Sequence, residues 1–471
     1  MGHRSGQSRE QAALFPLMLD EMVGPDRLVR VVDAWVQSLD VAVLGFEKAQ
    51  ALGRGAPPYD PADLLALYLW GYLNGVRSSR KLQQACQCNV ECMWLLRRLA
   101  PDFKTIAEFR RRNTQGLVAV CASFVDFARS KGLIKGTMVA IDGTKIKAVA
   151  SRKAILSAAE LAKRAKRNAD EIAEYLRALD AQDDREAGTD VCDADVRHAL
   201  AQLHEQRKQI QQQVEQLAGV QGNSLVHTEP QARPMKSLHG APGYNLQTAV
   251  DTESHLIVHH EVSTDANDLR QLQPMGEAAA KVLPDLKAVL ADSGYDNGDQ
   301  IEALGKQNLT TFVAPKGAVN PLGLLDRDAF RFDAENNQYT CPAGKILRRK
   351  KLGADTNRVI YMAKARDCGA CPMKPGCTGA AQRSVSRHAY QDALDANARR
   401  VQANPQIMKL RRQTVEHPFG TMKDQIMGNA RLLMRGLLGA KGELSLAVLA
   451  CNMKRVFNLK GSTWMHQALQ G

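Results

Sequence analysis

No stretch of roughly 18 consecutive apolar residues occurs in this 471-residue chain, so a membrane-spanning helix is not expected. The opening residues, Met1 to Glu10, are polar and carry no apolar core of signal-peptide length. The expected setting is a reducing cytosol, where the 10 cysteines read better as small core residues or metal ligands than as disulfides. Short internal repeats are missing apart from heptads, which excludes a solenoid or propeller array. Charge is modest at 24%, against 44% hydrophobic residues, so a sizeable core can be buried. The length suits a catalytic domain of about 250 residues plus one or two smaller modules.

Positive charge is in excess. There are 63 Lys+Arg against 50 Asp+Glu, a formal net charge of +13. Such a balance favours a polyanionic partner, because each phosphate neutralised by Lys or Arg releases condensed counterions. Charge alone does not name that partner; a solvated cationic face looks the same.

Residues 1–130 read as helical. Asp60-Pro61 opens one helix, with Asp60 as cap and Pro61 in the first turn, and Asn74-Gly75 stops it. Thr105-Ile106-Ala107-Glu108 has the pattern of a capping box. Basic residues near helix ends (Arg77, Arg80, Lys81, Arg97, Arg98 and Arg110 to Arg112) suit a DNA-binding or dimerisation module, though no specific helix-turn-helix is identifiable. Cys86, Cys88 and Cys92 fall on one expected helix as core residues. A buried strand, Thr137 to Ile141, ends at Asp142-Gly143-Thr144. Residues 152–220 then carry two heptad-patterned arms joined by a polar loop, which predicts an antiparallel helical hairpin, an arm or dimer contact without chemistry.

Strands are expected again at Gly243 to Val250 and His255 to His260, joined by an Asp251-Thr252-Glu253-Ser254 turn. A helix (Asp268 to Val282), a strand (Leu286 to Ala291) ending at Asp292, a second helix (Asp299 to Gln307) and a strand (Thr310 to Ala314) follow. A loop- and Cys-rich insertion, 316–400, precedes a final helical region, 405–460. The whole is a mixed α/β layout with segregated insertions.

Asp142 and Asp292 each sit where a buried strand gives way to a Gly-containing turn, a position from which carboxylates project into the crevice of an α/β sheet. Two-metal phosphoryl chemistry needs that placement: hard Mg²⁺ takes oxygen ligands, and three carboxylates suffice to hold two ions. The third candidate is Glu416, with Arg412 four residues before it and Lys423 seven after, spacings that share one helix face. Pro418 stands in the same stretch and is expected to kink the helix or mark its start.

These residues resemble the DDE transposases of bacterial insertion sequences. The family's first Asp motif is matched by Asp142-Gly143-Thr144, and its Asp-x-Gly-Tyr/Phe motif by Asp292-Ser293-Gly294-Tyr295. The Tyr-x2-Arg-x3-Glu-x6-Lys signature is matched at Arg412, Glu416 and Lys423, with Lys409 where the Tyr would stand. Val415 to Gly420 and the stretch Pro242 to Asp251 are similar too. The likeness covers roughly 130–315 and 405–460, with a helical module near 57–115.

It implies a ribonuclease-H-like catalytic domain over 131–460, preceded by a helical DNA-binding or dimerisation domain at 1–130. Asp142, Asp292 and Glu416 would bind two Mg²⁺ (or Mn²⁺) ions, while Arg412 and Lys423 position the strand and Lys145, Lys147, Arg411, Arg431 and Arg435 make lesser phosphate contacts. The implied activity is cut-and-paste transposition: hydrolysis at terminal inverted repeats, then attack of the freed 3′-OH on target DNA. A homodimer on double-stranded DNA and a cytoplasmic, nucleoid-associated location follow by the same likeness. A nuclease without joining activity and an inert DNA-binding regulator are the alternatives.

Cys368-x2-Cys371-x5-Cys377 lies downstream of Cys341. Four thiolates could build a tetrahedral Zn²⁺ site pinning a poorly cored insertion; unliganded thiols and a redox role remain open. Of His259 and His260, which alternate on a strand, one faces the core, and neither is assigned chemistry.

Overall fold

The computed structural model describes residues 18–49, 57–183, 193–219, 224–317, 323–352 and 357–470. Up to residue 130 its longer regular elements are helices. Asp60 caps Pro61–Leu73, accepting from the Ala62 amide at 2.8 Å. The start expected at Thr105 is displaced: Asp102 accepts from the Lys104 and Thr105 amides, so the helix begins at Phe103, and Glu108 pairs with Arg111 and Arg112. The helix expected to carry three cysteines is two, Ser79–Cys88 and Val90–Leu95, because Asn89 caps the second with its side chain. Cys86 and Cys92 are buried; Cys88 is exposed.

Helix Pro61–Leu73 is apolar all round and buried along nearly its whole length, which places it inside the helical layer. The C-terminal helix Gly436–Gln470, kinked at Gly461 (φ +79°), packs on it, on Thr114–Ser130 and on the sheet. Helical layer and sheet thereby share one hydrophobic core. Several basic residues that suit a DNA face are used inside the protein. Arg77 and Arg110 are buried, Arg97 pairs with Asp63 at 2.7 Å, and Arg80, Lys81 and Arg98 stay exposed. Among the described residues no helix is long and apolar enough to cross a membrane.

The strands, in chain order, are β1 (Met138–Lys147), β2 (Ile155–Ser157), β3 (Ser224–Val226), β4 (Arg233–Met235), β5 (Ala241–Asp251), β6 (Ile257–Ser263), β7 (Ala288–Ala291) and β8 (Thr310–Val313). β2 and β3 pair with each other at the base of two long helices, Ala158–Asp183 and Asp193–Ala218, which pack side by side as the heptads predict. The loop joining them falls at 184–192, outside the described residues. The other six strands form one curled sheet in which β4 and β6 share an edge of β5, followed by β1, β7 and β8. β5 is antiparallel to β1, β4 and β6, whereas β1, β7 and β8 run parallel.

β1 outruns its expected end. It continues five residues past Asp142 because β5 keeps pairing with it as far as Lys147↔Gly243. Its parallel pairing with β7 stops at Ala140↔Leu290. Both sequence-predicted aspartates thus lie just beyond the paired ends of adjacent parallel strands.

The 316–400 stretch is richer in strands than expected. β9 (Arg331–Asp333), β10 (Gln338–Thr340), β11 (Ile346–Leu352), β12 (Arg358–Met362) and β13 (Ser384–His388) form a second, antiparallel sheet in sequential order. Its core is small: Phe330, Tyr339, Leu347, Tyr361, Ala363 and Val385. The strands are short, and the longest carries four consecutive basic residues, Arg348 to Lys351, so apolar alternation is too weak to see in sequence.

On β6, His260 is the ring directed inward. Its Nε2 lies 2.8 Å from Ser445 Oγ and its Nδ1 4.0 Å from Cys121 Sγ. Burial, helped by neighbouring His259, lowers its pKa to about 4 from an ordinary 6.5. The unfolded chain therefore takes up a proton between about pH 6.5 and 4 that the folded chain refuses. Stability is full above that window and falls through it, by on the order of 2 kcal/mol given the part of the ring that still meets solvent. The expected result is that His260→Gln flattens this acid limb in thermal unfolding measured from pH 7 to pH 4. An unchanged slope would assign the limb to other groups.

Candidate active site

Asp142 is held by the next amide along β1, and Asp292 by the turn that follows it. Asp142 Oδ1 accepts from the Gly143 amide at 2.8 Å, and Asp292 Oδ1 from the Gly294 amide at 2.7 Å. Gly143 must be glycine for steric reasons, since a Cβ there would run into the side chains of Gln247 and Asp268. The two carboxylates converge on one cation. Arg411 Nη2 stands 2.7 Å from Asp142 Oδ2 and 3.5 Å from Asp292 Oδ2. Burial pushes the Asp142 carboxyl up to about 6, opposed by Arg411 and reinforced by Asp292. Arg411 is partly buried, and its covered Nε–H has no acceptor.

A third carboxylate completes the crevice floor, and it was not picked out in the sequence. Asp268 Oδ1 accepts from Lys145 Nζ (2.7 Å), Asn245 Nδ2 (2.8 Å) and Gln247 Nε2 (2.6 Å). Gln247 in turn accepts from the Tyr295 hydroxyl through Oε1, tying the second aspartate's turn to β5. Burial raises the Tyr295 phenol well above its usual range, and Asp268, Asp142 and Asp292 all add to the shift. Lys145, expected to touch phosphate, is instead the buried partner of Asp268. Asp268 looked like the start of a helix, but that helix begins at Leu272.

Glu416 does not join the aspartates. It lies on helix Gln406–Gly420 with its side chain 70% exposed, and its ion pair is with Arg412 at 4.0 Å. The helix passes through Pro418 and continues as a π-helical turn, Thr421–Ile426. Thr414, Val415, Pro418 and Met422 are its buried residues, and Arg411 shares that stripe at the spacing i, i+4, i+7. Arg412 and Glu416 sit one position round the helix, on the solvent side. The stripe was readable in the sequence as the signal that Arg411, not Arg412, faces the sheet. Lys423 is half-buried; burial lowers its pKa while Asp142 acts in the opposite sense, which places it within the field of the site. Among the described residues no three His, Cys, Asp or Glu side chains are gathered closely enough to hold an ion.

Chemically, this is an acidic pair whose charge is offset by a guanidinium, beside a half-buried lysine and below a basic helix surface.

Two family comparisons bear on it. The family described as "Transposase DDE domain" matches residues 175–453, and "Transposase domain (DUF772)" matches residues 17–112. The first span contains Asp268, Asp292, Arg411, Glu416 and Lys423; Asp142 lies between the two. A search of curated proteins returns no match to the chain. With more than half of its residues in the first match, the chain belongs to the DDE transposases of insertion sequences.

Proposed function

We propose that the protein cleaves DNA strands at the ends of a mobile element and joins the freed 3′-OH to target DNA, in a cut-and-paste reaction that needs a divalent metal ion. The observation that carries this reading is the pair Asp142 and Asp292, brought to one cation beyond the ends of two parallel strands in a chain of the DDE family. The sheet supports it: three antiparallel strands followed by two parallel ones is the order expected of a ribonuclease-H-like core. In this reading 131–460 is the catalytic domain, with 152–220 and 316–400 inserted, and 1–130 binds DNA or a second copy of the chain.

Asp142, Asp292 and Glu416 would hold Mg²⁺ or Mn²⁺, since hard cations take carboxylate oxygens. When bound, such ions acidify water and polarise the scissile phosphate. The chain's own groups do the rest. Arg411 neutralises the aspartates in the absence of metal. Arg412 and Lys423 grip the strand beside it. Glu416 has to turn inward to join the pair, and the π-helical segment after Pro418 is the place where this helix has slack.

The test uses the full chain, Mg²⁺ and a DNA fragment bearing the sequences that flank its coding region. Nicks leaving 3′-OH ends, followed by their transfer to a supercoiled plasmid and loss of both steps with chelator, are the expected result. Hydrolysis without transfer would reduce the protein to a nuclease; binding without either step would leave it a DNA-binding regulator.

A further inference from the structure

Four thiols on three chain segments face one cavity in the second sheet's small core, in the stretch of chain between Asp292 and Arg411. The cavity measures about 30 Å³ and is lined by Cys341, Cys368, Cys371 and Cys377. That is room for one small ion or one or two waters, not for an organic ligand. None of the four is in a disulfide, and all are half-buried.

Backbone amides point at two of the four sulfurs. After β10 the chain turns tightly at Cys341-Pro342-Ala343-Gly344, with the Gly344 amide on the Cys341 carbonyl at 2.8 Å and Gly344 at φ +73°. The turn aims the Lys345 amide at Cys341 Sγ, 3.2 Å away. The Cys368-x2-Cys371 loop repeats the device with a distant donor, the Arg383 amide, 3.4 Å from Cys368 Sγ. Arg383 also donates to the carbonyls of Cys377 and Leu325, fixing the third segment against the other two.

We infer that Cys341, Cys368, Cys371 and Cys377 form a structural Zn²⁺ site that holds the second sheet together. The four sulfurs line one cavity without being gathered closely enough, among the described residues, to hold an ion as they stand. A tetrahedral tetrathiolate site leaves no open ligand position, so its role is folding, not catalysis. A five-stranded sheet with six buried side chains has little else to stabilise it.

The experiment is metal analysis of the untagged full chain purified from zinc-supplemented medium, read for zinc and iron together. About one zinc per chain is expected. Cys371→Ser with Cys377→Ser should drop it to background, while Cys88→Ser, at an exposed thiol elsewhere, and Asp142→Asn should retain it. Asp142→Asn separates this site from the catalytic reading. Because the double variant can lose its fold, the unaltered protein supplies a second measurement: titration of reactive thiols before and after a strong chelator. Newly reactive cysteines on chelation, together with zinc release, support the site. Iron in place of zinc, substoichiometric metal, or thiol reactivity that ignores the chelator overturns it.

Discussion

Asp142→Asn and Asp292→Asn are each expected to reduce strand cleavage by at least about 10²–10³-fold, the scale of losing one group that stabilises transition-state charge. Both proteins should still bind DNA. The substitutions keep shape and hydrogen bonding: an amide oxygen can accept from Gly143 or Gly294 as the carboxylate does. They remove the charge that a metal ion needs, and with it the ion pair that each carboxylate makes with Arg411. Folding should not suffer at position 142, because burial opposes the ionised carboxylate there and raises its pKa to about 6. The neutral amide relieves that cost, so the Tm should hold or rise. Cleavage of a labelled duplex and a gel-shift assay, run side by side on both variants, measure the two effects. Activity within tenfold of the unaltered protein would sink the assignment. Glu416→Gln is the sharper case. Its exposed position predicts no change in stability, so any loss of cleavage speaks for a carboxylate recruited during reaction.

The largest effect on stability should come from Glu443→Ala. Glu443 is fully buried in helix Gly436–Gln470, and its Oε1 accepts from Arg77 Nη1 at 2.8 Å. Its Oε2 accepts from the Leu433 and Met434 amides at 2.8 and 3.0 Å. Arg77 in turn donates to the carbonyls of Met427 and Arg431. One ion pair thus joins the turn after helix Pro61–Leu73, the segment that follows the π-helical turn, and the C-terminal helix. Removing the carboxylate strands a buried guanidinium and two amides, at a cost of about 3–5 kcal/mol. The double variant Arg77→Met with Glu443→Leu should recover only the part due to the stranded guanidinium, since an apolar pair has no charge to desolvate but leaves the Leu433 and Met434 amides without their acceptor. Chemical denaturation measures all three proteins. A loss below about 1 kcal/mol for Glu443→Ala would mean water reaches the pair.

Legibility differed between the parts of the site. Asp292 stands at a strand end before a Gly-containing turn, as the local pattern has it, whereas Asp142 lies inside β1, which the pattern ended too early. Their mutual approach required β1 and β7 to be neighbours, which no local pattern states. The helix was harder. Arg412, Glu416 and Lys423 share a face by spacing, yet that face looks to solvent at its first two members, because Val415, Pro418 and Met422 claim the side toward the core. Asp268 and Lys145 were invisible in their roles, since a carboxylate collecting three donors from two strands has no sequence spacing of its own.

By itself the amino-acid sequence determined where most helices and core strands lie, that the heptad arms form two long helices, and that acidic and basic residues recur in the pattern of DDE transposases. These are properties of neighbours along the chain, and short-range sterics, capping and hydrophobic period suffice to set them. Tertiary structure alone decided that Arg411 stands between the aspartates, that Arg77 and Arg110 serve the interior, and that the stretch around the cysteines is a sheet. Each depends on which side chains a neighbouring element has already covered, and burial is a property of the packed whole.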